Sequence, residues 1–279
     1  MKLCDKEYIL SVIATPIGNL EEVSERVIKC LNEAYVILCE DTRVTAKLLH
    51  LLNIYDYKKL ISYHNFNEIQ KLNEAINYIK KYPTALVSDA GYPTISDPGY
   101  KLINECHQQN IGIQVINGPS SLMHALVASG MCSQDFMFLG FLGKTQKQRV
   151  EKLKLYKNLQ TTFVIYEAVH RIEKTLMDIY EIWGDILIFI GRELTKKNES
   201  HYYGYLSQLP PITEKGEFVI VIDNKINQDV IKNNNINECL IKIRDLMKQN
   251  FKLKDACKEV SKSSNFDSKE LYKLIINQK

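Results

Sequence analysis

Residues 84–99 read TALVSDAGYPTISDPG, a short apolar run followed by a long loop. The run Thr84 to Ser88 has the length and composition of a buried strand. The loop Ser88 to Gly99 is twelve residues long, whereas a strand and its following helix are usually joined by about 2–6 residues. Two glycines and two prolines give this loop a rigid backbone that a ligand can approach closely. The segment therefore predicts a sheet strand that ends in a binding loop.

The rest of the first half repeats this alternation of apolar runs and amphipathic stretches. Buried strands are predicted at Tyr8 to Ala14, Tyr35 to Cys39, Lys59 to Tyr63, Thr84 to Ser88 and Ile113 to Ile116. Helices are predicted at Leu20 to Leu31, Thr45 to Leu52, Ile69 to Lys81 and Tyr100 to Gln109. Asn19 and Glu22 suit a capping box for the first helix, and Asp97-Pro98 suits the start of the last. This alternation predicts a mostly parallel sheet covered on both faces.

The second half has a different order of elements. Strands are predicted at Phe136 to Leu142, Thr162 to Tyr166, Leu187 to Ile190, Tyr202 to Leu206 and Glu217 to Ile222, and helices at Gln146 to Leu159 and Arg171 to Trp183. Since no long helix separates the last two strands, we expect an antiparallel hairpin and a mixed sheet. Short helices are predicted at Cys239 to Gln249, Leu253 to Ser261 and Ser268 to Asn277. The predicted organisation is an α/β domain (1–117), a second α/β domain (118–223), an Asn- and Lys-rich linker (224–237) and a small helical domain (238–279).

Composition and motifs exclude several classes of protein. The longest apolar runs fall far short of the roughly 20 residues that a membrane span needs, and no signal peptide is visible. The seven cysteines include no C-x-x-C pair, which predicts reduced thiols in a cytoplasmic protein. The six histidines are scattered along the chain, so no metal site is predicted. Gly143-Lys144-Thr145 resembles the end of a P-loop, but Phe138 stands where its first glycine would be, and no dinucleotide-binding G-x-G-x-x-G is present.

Charge is concentrated at the end of the chain. Residues 225–279 carry 12 Lys/Arg against 7 Asp/Glu, a net charge of +5, whereas the whole chain carries +3. A basic tail can bind a polyanion, but on charge alone a solvated surface is the better interpretation. The same two interpretations, a solvated face or an RNA backbone contact, apply to a second basic stretch. It contains Lys144, Lys147, Arg149, Lys152, Lys154 and Lys157.

Five loops are predicted to lie along one edge of the first sheet. They are Ala14 to Leu20, Glu40 to Arg43, Tyr63 to Asn65, Ser88 to Gly99 and Asn117 to Ser121. In an open α/β sheet, ligands bind at the carboxyl ends of the strands. Each loop alone can be explained by ordinary turn residues, and Glu40 to Arg43 could equally be an ion-paired helix start. The long loop after Thr84 to Ser88 most strongly favours a ligand site.

Five motifs in order carry a resemblance to a known family. They are Ala14 to Leu20, Glu40 to Arg43, Ser88 to Gly99, the Tyr166-Glu167-x-x-His170-Arg171 segment and Gly191 to Lys196. Together they closely resemble the bacterial 16S ribosomal RNA cytidine 2′-O-methyltransferases of the tetrapyrrole methylase superfamily, from about Tyr8 to Val221. Ser268 to Tyr272 also resembles the small helical C-terminal domain of that family. The sequence departs from the superfamily pattern at two places. Thr15 to Gly18 stands where the superfamily has a more glycine-rich pattern, and this difference points away from tetrapyrrole substrates. Tyr92 stands where Thr is common.

The resemblance implies a tetrapyrrole-methylase-like fold of two α/β domains, with S-adenosylmethionine held in the cleft between them. It implies a homodimer that modifies a decoding-region cytidine in the small ribosomal subunit. The cofactor would be bound by Pro16, Asp89, Ala90, Gly91, Ile95, Ser120, Ser121 and Tyr166. The RNA would be bound by Arg43, His64, Asn65, His170, Arg171, Arg192 and Lys196, with Asp41 and Glu193 nearby. Glu40 or Glu167 would be the catalytic base, and His170-Arg171 could instead be a helix N-terminal pair.

Two other functions fit the sequence less well. A methyltransferase acting on a corrin precursor shares the fold, but the basic tail argues against it. A non-catalytic ribosome-assembly factor would bind RNA and would have no cofactor pocket.

Overall fold

Five parallel strands form the first sheet of the computed structural model, which describes residues 6–57, 59–249, 251–262, 264 and 266–276, without the side chains of 225–235. The strands are β1 (Ile9–Ile13), β2 (Val36–Cys39), β3 (Lys59–Ser62), β4 (Thr84–Val87) and β5 (Gly112–Ile116). Their order is β3-β2-β4-β1-β5, and every pairing is parallel. Strands β2 and β4 are buried along their whole length, as expected for a sheet covered on both faces. The predicted parallel sheet is confirmed.

Helices follow the strands of this sheet. They are α1 (Glu25–Glu33), α2 (Thr42–Leu51), α3 (Glu68–Ile79), α4 (Tyr100–Gln108) and α5 (Ser121–Ser129). Separate apolar clusters form on its two faces, one around Leu10 and Leu86 and the other around Ile13 and Ile37. Alternate residues of a strand point to opposite faces, which explains this division.

Two predicted helix starts are wrong. The stretch predicted as one helix from Leu20 is a 3₁₀ turn over Leu20–Glu22 followed by α1, because Val23 between them is extended. The cap of α1 is Ser24, whose Oγ accepts from the Val27 amide, so the predicted capping box at Asn19 does not start it.

The start predicted at Asp97-Pro98 is also displaced. Helix α4 begins at Tyr100, after Gly99 with a φ of 125°. A side chain at Gly99 would place Cβ 2.8 Å from Leu86 Cδ2, so both space and backbone conformation require glycine there. The helix can begin only after this turn, which leaves Asp97 in the preceding loop.

The second sheet is mixed, as predicted. Its strands are β6 (Phe136–Phe141), β7 (Thr162–Ala168), β8 (Leu187–Arg192), β9 (Ser200–Tyr205) and β10 (Glu217–Asp223), in the order β6-β7-β10-β8-β9. Only β6 and β7 pair in parallel among these strands. The hairpin predicted between the last two strands is wrong, because β10 lies between β7 and β8 while β9 pairs with β8. The burial of β9 and β10 explains this strand order. Strand β10 is buried at nearly every position, whereas β9 alternates between half-buried and exposed residues, as at a sheet edge.

Two helices cover this sheet, α6 (Gln146–Tyr156) and α7 (Ile172–Trp183). They meet through a buried ion pair between Arg149 Nε and Asp178 Oδ2, 2.6 Å apart. Both side chains are almost fully buried, and Gln146 donates a further hydrogen bond to Asp178. Arg149, which the sequence analysis placed on a basic face, therefore holds two helices together and does not face solvent.

The chain ends in three helices, α8 (Asn224–Lys248), α9 (Leu253–Lys262) and α10 (Ser268–Ile276). Ile243, Cys257 and Leu271 lie in their common apolar cluster, which confirms the predicted helical bundle. The segment 224–237, predicted as a linker because it lacks apolar periodicity, is helical as the first part of α8. The later part of the same helix packs through Leu240 and Ile243 into the C-terminal apolar cluster, and this packing can support a continuous helix whose first part lacks apolar periodicity. No helix in the described ranges combines the length and apolar character needed to cross a membrane.

Candidate active site

A cleft of about 330 Å³ lies where the carboxyl ends of the first sheet face the second sheet. Small-molecule sites usually have volumes of about 300–1,000 Å³. The first sheet contributes Ile17, Glu40, Asp89, Ala90, Gly91, Tyr92, Ile95, Ser96 and Asp97, and the start of α5 contributes Ser120 and Ser121. The second half contributes Phe141, Tyr166, Glu167, Ala168, Leu194, Glu217, Phe218 and Val219. The position agrees with the rule that α/β sheets bind ligands at the carboxyl ends of their strands.

The loop after β4 is fixed against the loop after β1. The amides of Thr15 and Gly91 each donate to the carbonyl of the other residue, at 2.9 and 3.0 Å. Thr15 Oγ1 also donates to the Ser88 carbonyl, and Ser88 Oγ donates to the Gly91 carbonyl, both at 3.1 Å. These bonds hold the backbone around Gly91 in place before any ligand arrives.

The far half of the same loop is conformationally strained. Thr94 and Ser96 have φ angles of 76° and 69°, in the left-handed region that non-glycine residues rarely adopt. Each such residue costs about 1–3 kcal/mol and persists only where its surroundings fix it. Here the Gly99 amide donates to the buried Glu68 carboxylate, which also pairs with Lys101 at 2.9 Å. The result is a rigid loop that presents Ile95 and Asp97 to the cleft.

The cleft is acidic, because Glu40, Asp89, Asp97 and Glu217 line it. Burial, with the nearby Asp89 charge, raises the pKa of Glu40. Burial also raises the pKa of Asp89, although Asp89 accepts from the Asp41 amide at 3.1 Å. Burial followed by the charges of Glu40 and Asp89 raises the pKa of Asp97 to about 7. Since carboxylates close together disfavour ionisation, a positively charged ligand in the cleft would be stabilised.

The opposite wall is aromatic. Tyr166 on β7 accepts from Ser121 Oγ at 2.9 Å, which connects the second sheet to α5. Ser120 caps α5 by accepting from the Met123 amide. The rings of Phe138 and Phe141 lie edge-on to Tyr166, with centroids 4.8 and 5.9 Å away. The cleft therefore has one acidic and one aromatic wall.

The structure brings most of the predicted cofactor residues together. Lining the cleft are Asp89, Ala90, Gly91, Ile95, Ser120, Ser121 and Tyr166. Pro16 is not among the lining residues, although its neighbour Ile17 is. Both residues predicted as a base, Glu40 and Glu167, line the cleft as well.

Glu167 has a geometry that suits positioning better than proton transfer. Its side chain is fully buried; Oε1 accepts from Arg171 Nε and the Ala168 amide, both at 2.8 Å. Oε2 accepts from Thr175 Oγ1 at 2.6 Å. With both oxygens occupied, Glu167 orients Arg171, and Glu40 and Asp97 are the better placed proton acceptors.

None of the seven predicted RNA-binding residues is among the residues that line the cleft. Arg43 is exposed and pairs with Asp41, whose pKa falls to about 2 through the hydrogen bond from the Arg43 side chain. Arg171, whose side chain is 13% exposed, has its guanidinium 5.9 Å from the ring centroid of Phe141, which lines the cleft. Lys196 pairs with Glu193 and with Glu217.

The other predicted RNA contacts differ in accessibility. Asn65 and His170 are exposed, and His64 is half-buried with its ring edge-on to Phe66, which is 93% exposed. Arg192 is buried: Nε donates to the Lys215 carbonyl at 2.6 Å and Nη1 to the Asn198 carbonyl at 3.0 Å. These bonds give Arg192 a structural role that the sequence pattern did not reveal, and its contact with RNA stays a prediction.

Sequence reasoning missed several residues of the cleft. Asp97 lies in the long loop but was assigned to a helix start, because Asp-Pro is a common signal for one. Phe141 ends β6 and Glu217 begins β10, so the alignment of the second sheet with the first was needed to find them. Leu194 belongs to the Gly191 to Lys196 motif, which was a usable signal.

Comparison with known proteins finds one matching family and similar proteins that share one name. The family described as Tetrapyrrole (Corrin/Porphyrin) Methylases matches residues 10–210. A Mycoplasma pneumoniae protein named ribosomal RNA small subunit methyltransferase I is 51% identical over 225 residues, which is 79% of this chain and 82% of that protein. The Bacillus subtilis protein of the same name is 38% identical, over 80% of this chain and 77% of its own.

Solved structures with low sequence identity share the fold. The methyltransferase CobJ superposes with a TM-score of 0.59 at 17% identity and covers 78% of this chain and 94% of its own. A uroporphyrin-III C-methyltransferase from Thermus thermophilus, in complex with S-adenosyl homocysteine, superposes with a TM-score of 0.55 at 14% identity, over 78% of this chain and 98% of its own.

Proposed function

Because this chain belongs to the ribosomal RNA small subunit methyltransferase I family of the tetrapyrrole methylases, we propose that it methylates the ribose 2′-oxygen of a cytidine in the decoding region of 16S ribosomal RNA, with S-adenosylmethionine as the methyl donor. The observation that carries this proposal is the cleft itself. Its lining includes seven of the eight residues that the family motifs assign to the cofactor, all except Pro16, and these seven lie within residues 10–210, which match the family model.

The cleft has the chemistry that S-adenosylmethionine requires. This cofactor carries a sulfonium and an ammonium cation, and Glu40, Asp89 and Asp97 supply compensating negative charge. Asp89 is placed to accept hydrogen bonds, and the backbone at Gly91 allows close approach because it carries no side chain. Tyr166 offers an apolar face for the remainder of the molecule. The residues present therefore fit the cofactor in charge and polarity.

Methyl transfer requires alignment and loss of a proton. When bound, the cofactor supplies an activated methyl group on a good leaving group. The protein must hold the ribose oxygen in line with it, at about 3–3.5 Å, and remove its proton. Asp97 is the better matched acceptor, because its pKa of about 7 lies near neutral pH. Glu40, whose pKa is also raised by burial, is the second candidate.

The RNA backbone needs cations outside the acidic cleft, since phosphates would be repelled inside it. Arg171 is fixed by Glu167 beside Phe141 of the cleft lining, and Arg43 is exposed on α2. The exposed ring of Phe66 offers a stacking face for an unpaired base beside His64. Together these residues suit a single-stranded RNA segment that delivers one ribose to the cleft.

The proposed partners follow from the same family membership. The substrate is the 16S ribosomal RNA in naked or assembled form, which makes the cytoplasm the proposed site of action. The basic helical end, residues 238–279, is proposed to add backbone contacts. We also propose that the protein works as a homodimer, as the resemblance implies.

One experiment tests this function directly. Small ribosomal subunits from a strain lacking the protein are incubated with the purified protein and S-adenosylmethionine, and the RNA is mapped by mass spectrometry. We expect one added methyl on the ribose of one cytidine, with little product from Glu40→Gln or Asp97→Asn and full product from the surface control Glu33→Gln. A methyl on a base, or transfer to a corrin precursor and none to RNA, would refute the proposal.

A further inference from the structure

A cluster of two histidines and a glutamate lies outside the cleft. His124 is on α5, Glu199 is in the turn before β9, and His201 is on β9. We infer that these three side chains bind a divalent transition-metal ion of the zinc class. The scattered histidines predicted no metal site, but the fold brings two of them together. This inference is independent of the proposed function, because methyl transfer needs no metal at this position.

The distances between the ligand atoms suit such an ion. One ligand atom from each residue lies within 4.8 Å of the other two. Glu199 Oε1 is 2.8 Å from His201 Nε2 and 3.4 Å from His124 Nε2. Zinc bonds of about 2.0–2.2 Å in tetrahedral geometry separate neighbouring ligands by about 3.4 Å. Small side-chain rotations therefore bring all three atoms to bonding distance of one ion.

The residues around the cluster orient its ligands. Glu199 Oε2 accepts from the Thr195 amide at 2.6 Å, which leaves Oε1 directed at the histidines. The His201 ring lies edge-on to the buried Phe189, with centroids 5.1 Å apart. A hydrogen bond of the kind that the Thr195 amide gives Glu199 is typical of metal sites, where outer partners fix the direction of a ligand, and the Phe189 ring limits the orientations of the His201 ring by packing. The three side chains are 29–40% exposed, so an ion can enter and a water can complete the coordination.

The ligand types select the class of ion. Two imidazoles and one carboxylate suit zinc and its neighbours in the first transition row, whereas magnesium and calcium prefer oxygen ligands. A bound ion would connect α5 to the turn before β9. Because α5 begins at Ser121, which lines the cleft and bonds Tyr166, the ion would also stiffen one wall of the cleft.

The test uses the full chain after treatment with a chelator. Zinc binding is measured by calorimetry, and cobalt binding by the visible absorption that tetrahedral cobalt gives. We expect one site per chain, and loss of about 100-fold or more in affinity in His201→Ala and His124→Ala, since losing even an outer partner of a ligand costs 10–100-fold. Glu199→Gln keeps an acceptor for the Thr195 amide and should also weaken binding.

The matched control is His107→Ala, an exposed histidine in the last turn of α4, which should bind zinc as the wild type does. Circular dichroism of each variant checks that it folds. Equal zinc affinity in the His201→Ala variant and the wild-type protein would overturn the inference. So would cobalt spectra with strong thiolate charge-transfer bands, because they would assign the ion to cysteine.

Discussion

Replacing Asp97 by asparagine should make the protein more stable and less active. In the folded chain, burial and then the charges of Glu40 and Asp89 raise the pKa of Asp97 from 3.8 to about 7. Ionised Asp97 therefore destabilises the folded state. Asparagine has the same shape and no charge, so Asp97→Asn removes this cost. It also removes the proposed proton acceptor.

The size and sign of the effect follow from the two pKa values. A rise from 3.8 to about 7 corresponds to ~4 kcal/mol at 1.36 kcal/mol per unit of pKa. Because Asp97 keeps partial contact with solvent, screening reduces this to about 1–2 kcal/mol. Below pH 4 the carboxyl is protonated in both states and costs nothing. The cost grows between pH 4 and pH 7, where only the unfolded chain ionises, and is complete above pH 7.

The assay is urea unfolding of the wild type and Asp97→Asn at several pH values. Circular dichroism and the fluorescence of the buried Trp183 are followed together, since coincident transitions indicate two-state unfolding. We expect the variant to be more stable by about 1–2 kcal/mol at pH 8 and nearly equal to the wild type at pH 4. The rate of methyl transfer should fall by about 10²–10⁴-fold, the usual contribution of a general base.

Two results would refute this reasoning. A variant that is less stable than the wild type at pH 8 would show that the Asp97 carboxylate makes favourable contacts. A stability difference that does not change with pH would show that Asp97 ionises normally in the folded chain. Unchanged methyl transfer with the expected stability gain would leave Glu40 as the proton acceptor.

Four further predictions concern binding and stability. Asp89→Ala should abolish S-adenosylmethionine binding in calorimetry while circular dichroism stays unchanged, and wild-type affinity would remove this residue from the site. Asp178→Asn should cost about 3–5 kcal/mol in urea unfolding because it leaves a buried arginine unpaired, and a loss below about 1 kcal/mol would contradict the buried pair. Gly99→Ala should lower the melting temperature more than Gly130→Ala, since both have positive φ but only the first lacks space for Cβ; equal shifts would contradict this. Deleting residues 225–279, which removes α8 after Asn224 together with α9 and α10, should weaken RNA binding and its salt dependence but spare cofactor binding, so unchanged RNA affinity would exclude a role for these helices.

Much of the fold could be predicted from the sequence because each strand is a short apolar run between turn residues. The burial of β2 and β4 at every position is visible in their composition. Strand order was harder to predict from the sequence, because strand pairing joins residues that are distant in the chain. Predicting that β10 lies between β7 and β8 required knowing which strands are central, and the alternating burial of β9 that marks it as an edge strand is visible only in the structure.

The site was predictable to the extent that it lies at strand ends. Asp89, Gly91 and Ser121 follow first-sheet strands, and a general rule of α/β sheets places ligands there. Asp97 was assigned to a helix start because local signals cannot show that Gly99 forces the helix to begin later. The cluster at His124 could not be seen at all, since tertiary packing alone brings its members together.

The most direct test of the central claim is a crystal structure of this protein with S-adenosyl homocysteine. We expect the ligand in the cleft between the Ser88 to Gly99 loop and Tyr166, with its sulfur open towards Asp97 and Glu40. Ligand bound at another surface, with the cleft closed by its own side chains, would contradict the account.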